Sequence, residues 1–149
     1  MRIRNSTKYC VAATLKQAVC EHPIEGLTVE LKYSPKGSGR YISGTYYRLT
    51  KGYEEGKLIR LRINPVNKYP LDVSFKLSEY YTERDLRGRE TKYQKLKKVR
   101  FDCAEDLILA IFLHEFSHYL DHVEGLNGRY KQTKADKFAI ATLERMQVI

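Results

Sequence analysis

Five residues near the end of a 149-residue chain, His114-Glu115-Phe116-Ser117-His118, spell H-E-x-x-H. On a helix, residues four apart share a face. The two imidazoles then point at one spot, where a zinc ion can bind both. Glu115 is rotated from His114 by about 100°. Its carboxylate reaches the edge of such a site as a base for metal-activated water rather than as a ligand. Two plainer readings stand beside this one: surface histidines on a half-exposed helix with Glu115 in an ion pair, and a zinc site without catalysis. Context argues against the first. The apolar run Leu107-Ile108-Leu109-Ala110-Ile111-Phe112-Leu113 leads straight into the motif with no proline. A buried helix carries His, Glu and His only where something satisfies them. Against the second, Glu115 is intact, and the general base is the part that non-catalytic sites lose.

The elements that must position these residues follow from periodicity. Residues 102–124 read as one long, mostly buried helix, opened by the capping-box pair Asp102 and Glu105 and closed by Gly125. Residues 7–20 read as a first helix, with Val11, Leu15 and Ala18 on one face and Pro23 marking its end. Residues 27–33 alternate strictly and predict a strand with one buried face; residues 41–49, softened by Gly44, predict a second. Residues 51–56 read as a loop. Residues 57–63 predict a third strand, with Ile59, Leu61 and Ile63 facing one way and Arg60 and Arg62 the other. Leu71, Val73, Phe75 and Leu77 suggest a fourth. A last helix is expected from Thr133 to Gln147, with Thr133 and Asp136 as a second capping box. Ala139, Ile140, Leu143 and Met146 share one face of it, and Asp136 lies within that face. The expected architecture is α+β: one domain over residues 1–149, with a small twisted sheet of three to four strands packed on an N-terminal helix, the motif helix and a C-terminal helix.

Catalytic zinc usually takes three protein ligands and a water. His122 continues the i+4 series but lies about 12 Å along the axis from His114, too far for one ion to hold both. Asp136, eighteen residues after His118 and facing the core of the following helix, is the preferred third ligand. Its plainer role is an acid near a helix N-terminus, favoured by the dipole. Gln132, Glu124 and Glu144 are lesser candidates.

The chain carries a net charge of +9 and a pI near 9.4, which suits an acidic partner, nucleic acid being the commonest, or plain solubility. Residues 78–100 hold Arg84, Arg87, Arg89, Lys92, Lys95, Lys97 and Lys98, interleaved with Tyr80, Tyr81 and Tyr93. This is the segment expected to touch DNA; otherwise it is a solvated excursion. Cys10, Cys20 and Cys103 form no C-x-x-C pair, so a zinc ribbon is excluded and a reducing, cytoplasmic setting is expected. The longest apolar stretch, seven residues, is too short to span a bilayer, and the N-terminal segment lacks a signal-peptide apolar core.

On the strength of H-E-x-x-H, the chain resembles the zincin metallopeptidases, in which the motif helix packs beneath a small twisted sheet whose edge binds substrate as an added strand. Two branches look closest. Lys134-Ala135-Asp136-Lys137-Phe138-Ala139 resembles the second motif of ImmA/IrrE-like small gluzincins, in which a glutamate ligand precedes an Ala-Asp-x-Phe-Ala stretch. Here the matching position holds Gln132, a poor ligand, and Asp136, one turn on, can substitute. The strand pair ending at Ile63, read with the motif helix, is similar to SprT-like proteases, which act on DNA-bound proteins. Those use a third histidine well downstream, and none follows His122 here. The metzincin pattern would need Gly and His where Asp121 and Glu124 stand. The resemblance implies a zinc-dependent peptidase acting on a protein or peptide, with His114, His118 and Asp136 holding Zn²⁺ and Glu115 as general base. Tyr119 and Tyr130 are candidates for stabilising the developing oxyanion. The rival expectation is a basic DNA-binding or regulatory module whose zinc site is structural or vestigial. No membrane partner is expected, and no oligomeric state is assigned.

Overall fold

The computed structural model describes residues 1–48, 57–126 and 131–149. Element order is β1 (Arg2–Asn5), α1 (Ala12–Ala18), β2 (Leu27–Tyr33), β3 (Ile42–Tyr47), β4 (Lys57–Ile63), β5 (Leu71–Arg84), β6 (Glu90–Phe101), α2 (Ala104–Val123) and α3 (Gln132–Arg145). The class is α+β: the described residues form three helices, a four-stranded mixed sheet and a two-stranded one. Leu49 and the loop expected at residues 51–56 lie outside the described residues.

The larger sheet has the order β1-β2-β4-β3. β1 and β4 run parallel to β2, and β3 runs antiparallel to β4 at the edge. The alternation read from the sequence places Val29, Leu31, Ile59, Leu61 and Ile63 in the core. The opposite face of the central strands carries Glu30 and Arg60, which the register sets side by side. Arg60 Nε lies 2.9 Å from Glu30 Oε1, and this pairing offsets the cost of burying Glu30. α2 packs across β3 and β4, and α3 packs on α2 and β5. Fourteen of the twenty residues of α2 are buried, so the motif helix is the centre of the fold rather than an amphipathic cover. No helix among the described residues is long and apolar enough to cross a membrane.

Three elements differ from the sequence-based expectation. The basic N-terminus forms β1, which adds to the sheet beside β2. The first helix is shorter than residues 7–20: Asn5 Oδ1 accepts the Thr7 N–H (2.8 Å) in a turn that precedes it, and the helix starts at Ala12. The region from residue 78 onward is ordered: β5 continues to Arg84 and returns as β6. At its base Leu71, Val73, Phe75, Val99 and Phe101 join the core. Beyond a bulge between Lys76 and Tyr80, the hairpin stands away from the body with both faces exposed.

Candidate metal centre

α2 begins after Cys103, whose extended backbone (φ −148°, ψ 161°) serves as N-cap without a side-chain hydrogen bond. The expected cap at Asp102 is therefore displaced by one residue. Glu105 and Asp106 in the first turn complement the positive end of the helix. Gly125, at φ +69°, provides the left-handed residue just past the helix. Within this frame His114 and His118 fall one turn apart with ring centroids 5.0 Å apart and planes at 78°. Their Nε2 atoms are 3.3 Å apart.

The other helix completes the cluster. Gln132 and Asp136 are one turn apart at the start of α3, and they meet the His114 ring from opposite sides. Gln132 Oε1 lies 2.6 Å from His114 Nε2. Asp136 Oδ1 lies 2.6 Å from His114 Nδ1, and Asp136 Oδ2 accepts the backbone N–H of Lys76 at 2.7 Å. The sequence preferred Asp136 as the third ligand and ranked Gln132 among the lesser candidates. The structure reverses those positions: both Asp136 oxygens are engaged on the far side of the His114 ring, and the Gln132 amide stands beside the two Nε2 atoms. Thr133, expected to cap α3, instead accepts a hydrogen bond from Gln94 Nε2 (2.7 Å), which also donates to Leu77 O (2.8 Å). Lys131 is the N-cap, without a side-chain bond.

Charge is distributed to favour a cation at His114. Burial alone would lower its pKa, but the Asp136 hydrogen bond, the nearby Glu115 and Asp136 charges and the Gln132 contact together raise it above the ordinary histidine value. As an imidazolium, His114 donates Nδ1–H to Asp136 and Nε2–H to Gln132. As a neutral ring held by Asp136 it keeps the Nδ1 proton and offers a lone pair at Nε2. Burial and the His114 charge lower the pKa of His118, so that ring is neutral. Burial raises the Glu115 pKa, opposed by His114 and by a hydrogen bond from the Tyr46 backbone N–H.

Strand β3 covers this carboxylate. A Cβ at Gly44 would sit 2.8 Å from Glu115 Cγ and 2.8 Å from Ile111 Cγ2, so only glycine allows the strand to lie directly on the helix at this point. The Tyr46 hydroxyl donates to His122 Nδ1 at 2.6 Å. Burial, Arg48 and Lys57 hold the His122 pKa down, which keeps it a neutral acceptor. His122 thus fixes the edge strand and takes no part in the imidazole pair.

The residue set fits a zinc ion in its donor chemistry. Two ligand nitrogens on a tetrahedral zinc, each at about 2.0–2.1 Å, stand roughly 3.4 Å apart. The observed 3.3 Å between Nε2 atoms matches that edge. Gln132 Oε1, at 2.6 Å from His114 Nε2, is at hydrogen-bond distance and closer than that edge, so the amide must draw back from the ring for a zinc ion to take it as a third donor. Among the described residues no three His, Cys, Asp or Glu side chains are gathered as a ligand set; the third side chain at the Nε2 pair is the Gln132 amide.

The remaining candidates are dispersed. Tyr119 is buried, with its hydroxyl 2.9 Å from Pro23 O and its ring against Tyr46 and Phe116. It braces the core, which corrects its expected part at an oxyanion. Tyr130 lies outside the described residues. Glu124 is the exposed C-cap of α2, and Glu144 pairs with Lys97 at 3.0 Å. Arg84, Arg87, Arg89, Lys92, Lys95 and Lys98 lie along the exposed hairpin. Gly44, Tyr46, Lys76 and Gln94 were not singled out as site residues. The signal for Gly44 was present, since a glycine inside a strand marks close backbone approach; no sequence signal marks the other three. Comparison of the chain with protein-family models, with curated proteins and with solved structures finds no match.

Proposed function

We propose that this chain is a zinc-dependent peptidase of the zincin type, in which His114, His118 and Gln132 hold the metal and Glu115 is the general base. One observation carries the reading: two Nε2 atoms 3.3 Å apart, with an amide oxygen at the same ring nitrogen and a buried carboxylate on the adjoining turn. Zn²⁺ bound there supplies Lewis acidity, polarising a carbonyl and making water acidic near neutral pH.

The protein's own groups do the rest. Asp136 keeps the proton of neutral His114 on Nδ1, so that Nε2 faces inward with its lone pair. Its second oxygen is tied to Lys76 N–H, which fixes the carboxylate and, through it, the ring. Glu115 sits where burial makes its carboxylate a stronger base than a solvated one. It takes the proton of the attacking water and delivers it to the departing amine. Among the described residues β3 pairs with no strand but β4, and it forms the sheet edge beside Glu115, which accepts the Tyr46 backbone N–H. An extended peptide adding to that edge is brought to the base by the Gly44 contact. The antiparallel edge strand over the motif helix, with a closing helix behind, supports the zincin arrangement.

The test separates metal from turnover. Glu115→Gln should keep about one zinc per chain and lose cleavage of a mixed fluorogenic peptide set by roughly a hundredfold or more. His118→Ala should lose both. Zinc retained without cleavage by the unsubstituted chain would leave a non-catalytic metal site, and undiminished cleavage by Glu115→Gln would remove the assigned base.

A further inference from the structure

The outer hairpin does not hold the chain's excess charge: residues 78–93 carry four Lys or Arg against four Asp or Glu. Residues 1–63, which supply all four strands of the larger sheet, carry twelve Lys or Arg against five Asp or Glu, a net +7 of the chain's +9. Strands β2 and β4 bring three of these cations to the sheet face opposite the core. Arg60 and Arg62 alternate with the core residues Ile59, Leu61 and Ile63, and Lys32 stands beside Arg62 in the register. Among the described residues Glu30 is the carboxylate they share. Arg60 Nε lies 2.9 Å and Lys32 Nζ 3.0 Å from the same Glu30 Oε1. Arg62 has no carboxylate partner among the described residues.

The edge strand leaves Arg62 within reach of a segment paired with β3. Directly opposed residues share a face, so Ser43 stands opposite Arg62 and Thr45 opposite Arg60 on the outer face, and both are small. Ile42, Gly44 and Tyr46 point the other way, toward the core and the motif helix. The backbone follows the same alternation. Tyr46 gives its N–H to Glu115 rather than to β4, so Ile42 and Gly44, at the same parity, turn their N–H and C=O groups to the outer edge. A strand added there runs about 4.8 Å from β3 and roughly 10 Å from the Arg62 backbone. That gap is within the combined length of an arginine and a glutamate side chain, and only Ser43 stands in it.

We propose that the edge strand selects an acidic peptide, with Arg62 pairing across Ser43 to an Asp or Glu side chain on the outer face of the added segment. This rests on the peptidase reading for its place beside Glu115, and it supplies the substrate class. Gly44 lies against Glu115 and Ser43 is its neighbour, so the acidic side chain falls within roughly two residues of the cleaved bond. A guanidinium with no carboxylate of its own has no ion pair to give up, and it holds a carboxylate through two parallel hydrogen bonds. Lys32 beside it raises the local positive potential. A nucleic acid would meet the same cations, but it has no N–H and C=O ladder to offer the edge, the part of this surface nearest Glu115.

The test uses fluorogenic peptide sets that differ only in Glu against Gln at the varied positions. With the zinc-loaded full chain, kcat/KM should be about tenfold or more higher for the Glu set, with the difference in KM. Arg62→Gln should erase that preference, and Arg62→Glu should reverse it toward a third set carrying Lys. Both variants should keep the parent's zinc content and melting temperature. Equal cleavage of the Glu and Gln sets by the parent, or an undiminished Glu preference in Arg62→Gln, would overturn the inference and leave the peptidase reading standing. If no set is cleaved, that reading fails instead, and anisotropy with the labelled peptides decides this one. The Glu set should then bind about tenfold or more tighter than the Gln set and lose that margin in Arg62→Gln. Equal binding would overturn the inference. So would displacement of the Glu set by oligothymidylate more readily than by unlabelled Glu peptide, which would mark a phosphate-binding face.

Discussion

Gly44→Ala places one methyl group between the edge strand and the motif helix. That carbon would stand 2.8 Å from Glu115 Cγ, 2.8 Å from Ile111 Cγ2 and 3.2 Å from Glu115 Oε1. Carbon pairs rest at about 3.5–4.0 Å, so both carbon contacts must open by roughly 0.7 Å or more. α2 cannot retreat, because Phe112, Leu113 and Phe116 fill the space around it and are fully buried. Among the described residues β4 is the one strand paired with β3. The strand must lift, or Glu115 must rotate away from the imidazoles. Overpacking of this kind costs about 1–3 kcal/mol, which for a chain of this size lowers the melting temperature by roughly 2–12 °C. Displacing the base by about 1 Å costs on the order of a hundredfold in turnover. The imidazole pair is untouched, so zinc content should not change. Scanning calorimetry, zinc analysis and peptide cleavage on the same preparation give all three readouts. A variant that melts and cleaves like the parent would refute the placement of β3 on Glu115.

Asp136→Asn leaves an oxygen for only one of two hydrogen bonds and removes the charge that holds the His114 proton on Nδ1. Zinc affinity, measured by competition with a chelating dye, should fall about ten- to a hundredfold. The pH dependence of uptake follows from the raised pKa of His114, which must give up a proton before Nε2 can bind a metal. Because binding requires the deprotonated ring, apparent affinity should decline as pH falls through a value above that of an ordinary histidine. Calorimetry in buffers of different ionisation enthalpy should detect the proton released, and a pH-independent affinity with no proton release would contradict it.

Strands β2 and β4 were legible because alternating apolar residues mark their core face; the burial of Thr28 and Glu30 on the other face of β2, expected to be open, was not. α2 was legible from its unbroken apolar run and its terminal glycine. The outer hairpin was not, since neither face of it is buried and no alternation of hydrophobicity marks its strands. The register between Tyr81 and Tyr93 is set by cross-strand contacts that composition does not reveal. The site divides in the same way. Spacing alone put His114 and His118 on one face and brought Asp136 to notice as a carboxylate among apolar positions. It could not say which ring nitrogen that carboxylate would meet. Gln132 and Asp136 share a face of α3, and the helix's placement against His114 decides which stands at Nε2. That placement depends on Lys76, in the strand that the alternation from Leu71 to Leu77 marked, and on Gln94, in the segment after it that the sequence left unread.

X-ray absorption at the zinc edge on the purified, zinc-loaded chain tests the central claim most directly. The account predicts a light-atom shell at about 2.0–2.1 Å with the multiple-scattering signature of two imidazoles and no sulfur, and no such zinc signal from His118→Ala, which should purify without the metal. A sulfur shell, or the same spectrum from His118→Ala as from the parent, would contradict it.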